Sequence, residues 1–421
     1  MVRSFLQYFY YVLGEGLSKG IIFLTFSFFT GYFSKEDFGR LSLFWITIPL
    51  LSIFIDFAQR SFIKKKFLES PDDARNVIPL ISLVSAGIAL IYALVIFIFN
   101  YLGHYIIDKT FDRYLVVCSY SFVIIELGLS FFQMKGDVKY YNVFYFLRNS
   151  TPYIITFFIA YFLVDSIFEA VLFAQVQALV LLFSVFAIFY KLYKSTTFNY
   201  NLLVDKFKIR LIESFKFSLP IVPGILCALF LSFSDRYIIN YYYSEIEVAN
   251  YTVAYTVSSI FMAFFMATNK MWQKFILENL KAKNIYLISK TAKYYIAVVL
   301  FIGVMVIVCR EFLVSLLSNP SYLLILDIVP TIIIGMFFYF LYTILSNIPF
   351  FYRNTFLMVL PAIVAASSNL ILNFILIPIY GYKIAAMTTT CSYFIEFVLI
   401  YIICLQYYKV DILFKTTNEL K

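Results

Sequence analysis

Apolar residues along this chain fall into long runs separated by short charged stretches. Twelve runs reach the roughly 20 residues needed to cross a bilayer's hydrocarbon core. They cover about 4–31, 39–60, 77–101, 113–133, 140–164, 167–191, 211–239, 247–270, 286–309, 321–347, 355–378 and 382–408. The runs are continuous, so they predict helices; a membrane β-barrel would alternate polar and apolar positions. Lys and Arg in the connections set the direction of threading. With the N-terminus inside, the inner segments hold 24 of these cations and the outer segments seven: Lys35, Arg40, Lys109, Arg113, Arg236, Arg310 and Lys383. Lys19 and Arg148 fall within spans. The bias alternates correctly over all twelve runs and puts both termini in the cytoplasm.

The punctuation repeats. "GYFSKEDFGRLSLFWI" (Gly31–Ile46) is echoed by "YYYSEIEVANYTVAYT" (Tyr241–Thr256), and a gapless shift of 210 residues lays one on the other. Val12 falls on Val222, Gly14 on Gly224, Ser34 on Ser244 and Lys64 on Lys274, with Asp37 against Glu247 and Arg60 against Lys270. Six runs precede a basic cytoplasmic connection and six follow it. An even number of spans per half gives both halves the same orientation, which implies a pseudo-twofold axis along the membrane normal. The predicted fold is all-α and polytopic: a six-helix lobe over 1–195, a linker over 196–210 and a second six-helix lobe over 211–421. Two such lobes suit alternating access to a central cavity.

Composition agrees with a lipid solvent. The chain is 62% hydrophobic and 14% charged, with mean hydropathy +0.87, against nearly half and a quarter for a soluble domain. The first run is too long for a cleaved signal peptide and carries Glu15 and Lys19. The five cysteines stand far apart in apolar runs and read as small hydrophobes. His104 is the single histidine, so neither a histidine active site nor a metal centre is expected. The net charge of +9 is mostly topogenic and points to a membrane surface, not to nucleic acid.

The first hairpin, "FSKEDFGRLSLFWITIPLLSIFIDFAQRSFIKKK", resembles the opening of bacterial polysaccharide-unit flippases, the Wzx-like family. There too a polar turn ending in an aromatic residue and glycine, here Phe38–Gly39, precedes the second span. The seventh span, "SLPIVPGILCALFLSFSDRYIINYYYSEIEVANY", resembles the family's other recurrent stretch: proline near the helix start, Asp-Arg before the outer turn, and a small residue with Tyr opening the eighth span. The glycine usual in that second turn is replaced here by Ala249–Asn250. The resemblance extends over the whole chain in length, span count and layout. It implies movement of a polyprenyl-diphosphate-linked oligosaccharide from the cytoplasmic to the outer leaflet of the bacterial inner membrane, for O-antigen, capsule or another surface polysaccharide. A polysaccharide polymerase is an implied partner. The superfamily also contains multidrug exporters, and that alternative stays open. No cofactor is expected, and coupling to H+ or Na+ is left undecided.

Charges at membrane depth mark candidate sites, because an ionisable group there faces the protein interior or a wet cavity. Glu15 and Lys19 are spaced i,i+4 on one helix face, as are Asp56 and Arg60. Glu126 and Arg148 can meet across a hairpin. Asp235–Arg236 and Asp327 lie near outer ends, and Glu396 is mid-span without an evident partner. A diphosphate needs cations, which act strongly in a low-dielectric cavity; Lys19, Arg60, Arg148 and Lys270 are the substrate-binding candidates. The first span of each lobe in the resembling family faces the central cavity, which favours Lys19. Glu15, Asp56, Glu126, Asp235, Arg236, Asp327 and Glu396 are coupling or structural charges. An envelope glycan polymerase or ligase is a weaker alternative: no outer connection is large, and no nucleophile–base set is visible.

Overall fold

Serine caps explain the repeated punctuation. In a computed structural model, which describes residues 2–162, 169–194, 207–352 and 354–413, Ser34 accepts a hydrogen bond from the Asp37 amide at 3.1 Å and starts the second helix. Ser244 starts its counterpart, accepting from the Ile246 amide at 3.2 Å and bonding the Glu247 carboxylate at 2.5 Å. Each cap satisfies an otherwise orphaned helix donor. Acidic residues fill both first turns, Glu36 and Asp37 in one, Glu245 and Glu247 in the other, where the helix dipole favours them.

The described residues contain no strand. Residues Met1–Leu226 pack as one unit and Cys227–Lys421 as a second. The first contains α1 (Val2–Tyr32), α2 (Lys35–Asp56), α3 (Gln59–Glu69), α4 (Pro71–Tyr101), α5 (Asp112–Lys135), α6 (Val138–Asn149), α7 (Thr151–Phe162), α8 (Val171–Tyr193) and α9 (Phe207–Ser218). Then come α10 (Val222–Tyr242), α11 (Glu245–Lys281), α12 (Ile285–Val308), α13 (Arg310–Leu317), α14 (Ile328–Leu345), α15 (Asn347–Phe351), α16 (Thr355–Tyr380) and α17 (Ile384–Gln406). Of the linker expected over 196–210, residues up to 206 lie outside the described residues.

Ten helical stretches among the described residues are long and apolar enough to cross a membrane. The other two of the twelve predicted runs are also helical. The run at 4–31 is α1, which carries Glu15 and Lys19. The run at 140–164 is divided into α6 and α7, of 12 residues each, at Ser150. Pro152 accounts for the division: it has no N–H to give to the preceding turn.

A second break was not expected. The run at 39–60 ends its first helix at Asp56, after which Phe57 (φ 48°) and Ala58 (φ 63°) take left-handed conformations. The Asp56 Oδ1 accepts from the Ala58 amide at 3.0 Å and holds this corner.

Each unit has its own core. In the first, α5 packs against α2, α4 and α8, and its Leu115, Ile124, Ile125 and Leu127 are fully buried. In the second, α14 and α17 pack closely because Gly335 has no side chain. A Cβ there would lie 2.7 Å from the Thr390 hydroxyl and 3.1 Å from its Cα. The Thr390 hydroxyl donates to the Thr331 carbonyl at 2.7 Å. Small residues at helix contacts are the usual device where lipid removes the hydrophobic drive to associate.

Candidate functional site: buried charges within each helical unit

The charged groups of the first unit converge where its two helix breaks lie. Glu126, on α5, forms an ion pair with Arg148 of α6, so the hairpin pairing expected from sequence is present. Glu126 also meets Arg60 Nη1 at 3.6 Å. The Arg148 guanidinium stands over the Phe122 ring, 4.7 Å from its centroid, and 5.4 Å from that of Tyr145. Aromatic faces offer a cation the partial compensation that lipid cannot.

The expected pairing of Asp56 with Arg60 is not formed as an ion pair. The corner at Phe57–Ala58 ends the helix between them, so i,i+4 geometry does not apply. Asp56 caps the corner, and Arg60 turns to Glu126. Glu15 and Lys19 also do not pair with each other. Glu15 accepts from the Tyr141 hydroxyl at 3.1 Å, while Lys19 is exposed and makes no ion pair or hydrogen bond among the described residues.

Close contact between α1 and α6 builds this arrangement. A Cβ on Gly14 would collide with the Asn142 side chain, whose Nδ2 donates to the Tyr10 carbonyl at 2.9 Å. At the α6–α7 break, the Ser150 hydroxyl donates to the Ser18 carbonyl at 3.1 Å and also meets the Ser18 hydroxyl. Beside that break lies a cavity of about 190 Å³, lined by Trp45, Pro49, Phe122, Arg148, Tyr153 and Gln177 among others. Arg148 Nε, Trp45 Nε1 and Gln177 Oε1 are buried without a hydrogen-bond partner. Buried polar atoms are normally satisfied, and a void of this size holds several waters or a small polar group. Three residues of its lining thus carry a buried polar atom without a partner, two donors and one acceptor.

The second unit holds a different chemistry. Arg236 on α10 is 4% exposed and Asp235 is 1% exposed. Arg236 donates to the Ser232 carbonyl at 2.9 Å, to Asp235 at 3.4 Å and to the Thr252 hydroxyl at 3.3 Å, under the Tyr255 ring at 4.5 Å. It is well engaged and therefore structural in this state. Asp327 pairs with Lys383 at 2.7 Å on an exposed edge. Glu396 on α17 is 2% exposed, with Oε2 unbonded and Tyr339, Tyr342 and Tyr393 as electrostatic neighbours. Lys270 belongs to α11, but its side chain lies outside the described residues.

One feature was missed from sequence. Ser234 donates to Asn369 at 3.2 Å, Asn373 donates to Asn369 at 3.0 Å, Asn369 donates to Thr389 at 3.1 Å, and Thr388 bonds Asn373. This buried ladder links α10, α16 and α17. All its members are neutral, so a search for charges passes over it. The available signal was two amides four residues apart in an apolar run.

Comparison with known proteins decides the family. The model of a family described as polysaccharide biosynthesis protein matches residues 7–270. The chain belongs to that family. An uncharacterised membrane protein of Haemophilus influenzae is 24% identical over 281 residues, and the match spans 66% of each chain. Among solved structures, the lipid II flippase MurJ in an inward closed conformation superposes with TM-score 0.70 at 14% identity, over 95% of this chain and 87% of that one. An inward-facing multidrug resistance MATE family transporter of the MOP superfamily gives TM-score 0.67 at 14% identity, over 92% of each chain. The fold is thus the one these flippases and exporters share. Within the polysaccharide biosynthesis family match lie Glu15, Lys19, Asp56, Arg60, Glu126, Arg148, Asp235, Arg236 and Lys270. Asp327, Glu396 and the amide ladder lie beyond its end.

Proposed function

We propose that the protein is a flippase that moves polyprenyl-diphosphate-linked oligosaccharide units from the cytoplasmic to the outer leaflet of the bacterial inner membrane, supplying surface polysaccharide such as O-antigen or capsule. The observation that carries this reading is the half-buried Arg60–Glu126–Arg148 cluster beside a cavity that Arg148 lines, in a chain of the polysaccharide biosynthesis family. Two guanidiniums share one carboxylate. An incoming diphosphate competes for them with more charge and more acceptor oxygens than Glu126 has, and arginine binds such oxygens in a bidentate fork. Lys19, exposed and without a partner among the described residues, is a first contact for the same group. The chain would work by alternating access with both termini in the cytoplasm, and would hand its product to a polysaccharide polymerase. Coupling is assigned to H+, with Glu396 as the carrier, because it is a buried carboxyl group whose Oε2 has no hydrogen-bond partner among the described residues; Na+ is the alternative.

Deleting the gene tests the reading. Surface polysaccharide should disappear while lipid-linked units accumulate on the inner leaflet. An intact polysaccharide layer with raised drug sensitivity would instead establish the second reading, a multidrug exporter. That reading is favoured by the MATE-like fold together with a buried acidic group able to attract cations.

A further inference from the structure

The α4–α5 hairpin carries two grooves that meet at one polar point. The first, of about 520 Å³, runs along α4 past Ala86, Ala89, Ala93 and Ile96 to Asn100, with Val116 and Tyr120 of α5 opposite. The second, of about 550 Å³, lies between Val95 and Phe99 of α4 and the loop residues His104–Ile106, and shares Ile96 and Asn100 with the first. Alanines at 86, 89 and 93 leave the channel, and exposed Leu90, Leu94 and Phe97 flank it toward lipid. From Ala86 to Asn100 the first groove is about 21 Å long at 1.5 Å per helical residue. One leaflet of hydrocarbon is about 15 Å deep, so the groove accommodates the full depth of a lipid chain.

The charges around the meeting point are sorted. Asp112 accepts from the Ile106 and Ile107 amides at 2.9 and 3.1 Å, which pins the loop over the second groove. Asp108 accepts from the Thr110 and Phe111 amides at 2.6 and 2.9 Å and lies 3.9 Å from Arg40. Both carboxylates are committed. Lys109 and Arg113, on the same hairpin end, are exposed and make no hydrogen bond or ion pair among the described residues. Arg113 lines the first groove beside Asn100.

We propose that this hairpin binds one anionic diacyl phospholipid, its two acyl chains in the two grooves and its phosphate on Arg113 and Lys109. Two channels converging on one hairpin end, where Asp112 of the first groove's lining is held by loop amides and two cations are left unengaged, match two chains on one anionic headgroup; a polyprenyl carrier has a single chain. Acyl chains are already in an apolar solvent, so filling the grooves discriminates little by itself. Selection comes from the headgroup charge, since basic side chains at a membrane surface attract anionic lipid and Arg reaches the headgroup level with its stem in the hydrocarbon. In the topology expected from the Lys and Arg bias, this is a lipid of the outer leaflet. The site is independent of what the protein transports.

Native mass spectrometry of the purified full chain, titrated with phosphatidylglycerol or phosphatidylcholine of identical acyl chains, tests this. The unaltered chain should retain phosphatidylglycerol with a roughly tenfold preference at low salt, as two surface cations acting on one anionic headgroup imply. The double change Arg113→Gln with Lys109→Gln should erase the preference, and Arg113→Lys should keep part of it. Ala93→Phe, which fills the first groove and leaves both cations, should weaken retention of either lipid, with thermal unfolding confirming that the variant is folded. If it is not folded, Ala86→Leu takes its place. Equal retention of the two lipids by the unaltered chain, or unchanged retention with the groove filled, overturns the proposal. So does displacement of phosphatidylglycerol by a polyprenyl phosphate whose retention falls with Ala93→Phe, since that would make the grooves a seat for the carrier.

Discussion

Arg148 and Glu126 form an ion pair across the α5–α6 hairpin, and Arg148 is the member with an atom left over: its Nε lies buried and unbonded at the cavity. This separates stability from function at one residue. Breaking a buried pair by removing one partner is destabilising by about 3–5 kcal/mol, whereas replacing both with apolar groups can be neutral. Glu126→Ala should therefore lower membrane abundance and detergent thermal stability, and Glu126→Leu with Arg148→Met, which removes both charges of the pair and leaves Arg60 (30% exposed) to water, should restore most of both. If Arg148 grips substrate, the restored double variant still does not flip. Surface polysaccharide measured beside protein abundance decides, and recovered transport removes Arg148 from the site.

Lys19 behaves differently because it makes no ion pair or hydrogen bond among the described residues. Lys19→Ala should leave abundance within about 0.5 kcal/mol of normal stability, as for exposed substitutions in general, yet impair transport. Lys19→Arg should retain part of the transport. A fall in abundance with Lys19→Ala would show that the lysine has a structural partner in another state. Glu15→Phe, in contrast, removes the acceptor of the Tyr141 hydroxyl and should cost about 1 kcal/mol or more.

Glu396→Gln preserves shape and removes the exchangeable proton. Reconstituted protein should fold and bind substrate while losing acceleration by an imposed pH gradient. Retained acceleration would take Glu396 out of the coupling path and leave it as a buried polar group of the α17 packing.

At the inner end of the seventh span, α9 is held to α3 and α4 by charge. Lys66 lies 3.0 Å from Glu69 and 3.5 Å from Glu213, Lys65 lies 3.8 Å from Glu213, and Arg210 bonds Asp73 at 3.1 Å. Burial alone would lower the Lys66 pKa, but its hydrogen bond to Glu69 and the charges of Glu213 and Glu69 raise it overall. The Glu69 carboxyl is held low chiefly by its hydrogen bond from Lys66. The signs follow from linkage. The Lys66 contribution is fully present below about pH 10.4 and lost as pH rises through the raised value. The Glu69 contribution is present above about pH 4.3 and lost as pH falls through the lowered one. Across the neutral range the clasp is therefore insensitive to pH and sensitive to salt. Hydrogen exchange over 207–218 should rise several-fold in 1 M salt or with Glu213→Gln, and hardly change between pH 6 and 8 after correction for intrinsic rates.

Much of this was readable beforehand, and the reasons are local. Ser34 and Ser244 announce helix starts because a serine followed by acidic residues before an apolar run satisfies orphan amides. The Glu126–Arg148 pair is legible because equal distances from a tight turn bring antiparallel positions together. The corner at Phe57–Ala58 was not readable. Neither residue is glycine, and their left-handed backbone is imposed by Asp56 and by packing. That corner is also why Arg60 reached Glu126 instead of Asp56. The α6–α7 break did have a signal in Pro152, but a proline in a membrane helix as often bends it as divides it. The Asn369–Asn373 ladder was hidden by its neutrality.

The same corner bears on how the first unit moves. A pivot is usually built from residues that tolerate many backbone angles. Here Ala58 is fully buried, and the Phe57 ring lies 5.7 Å from that of Phe215 on α9. Glycine at either position would ease the backbone but remove the brace. The elbow between α2 and α3 is consequently braced from both sides, with α9 packed against it. The α6–α7 break is braced differently: Pro152 interrupts the helix, and the buried Ser150 hydroxyl ties the interruption to Ser18 of α1.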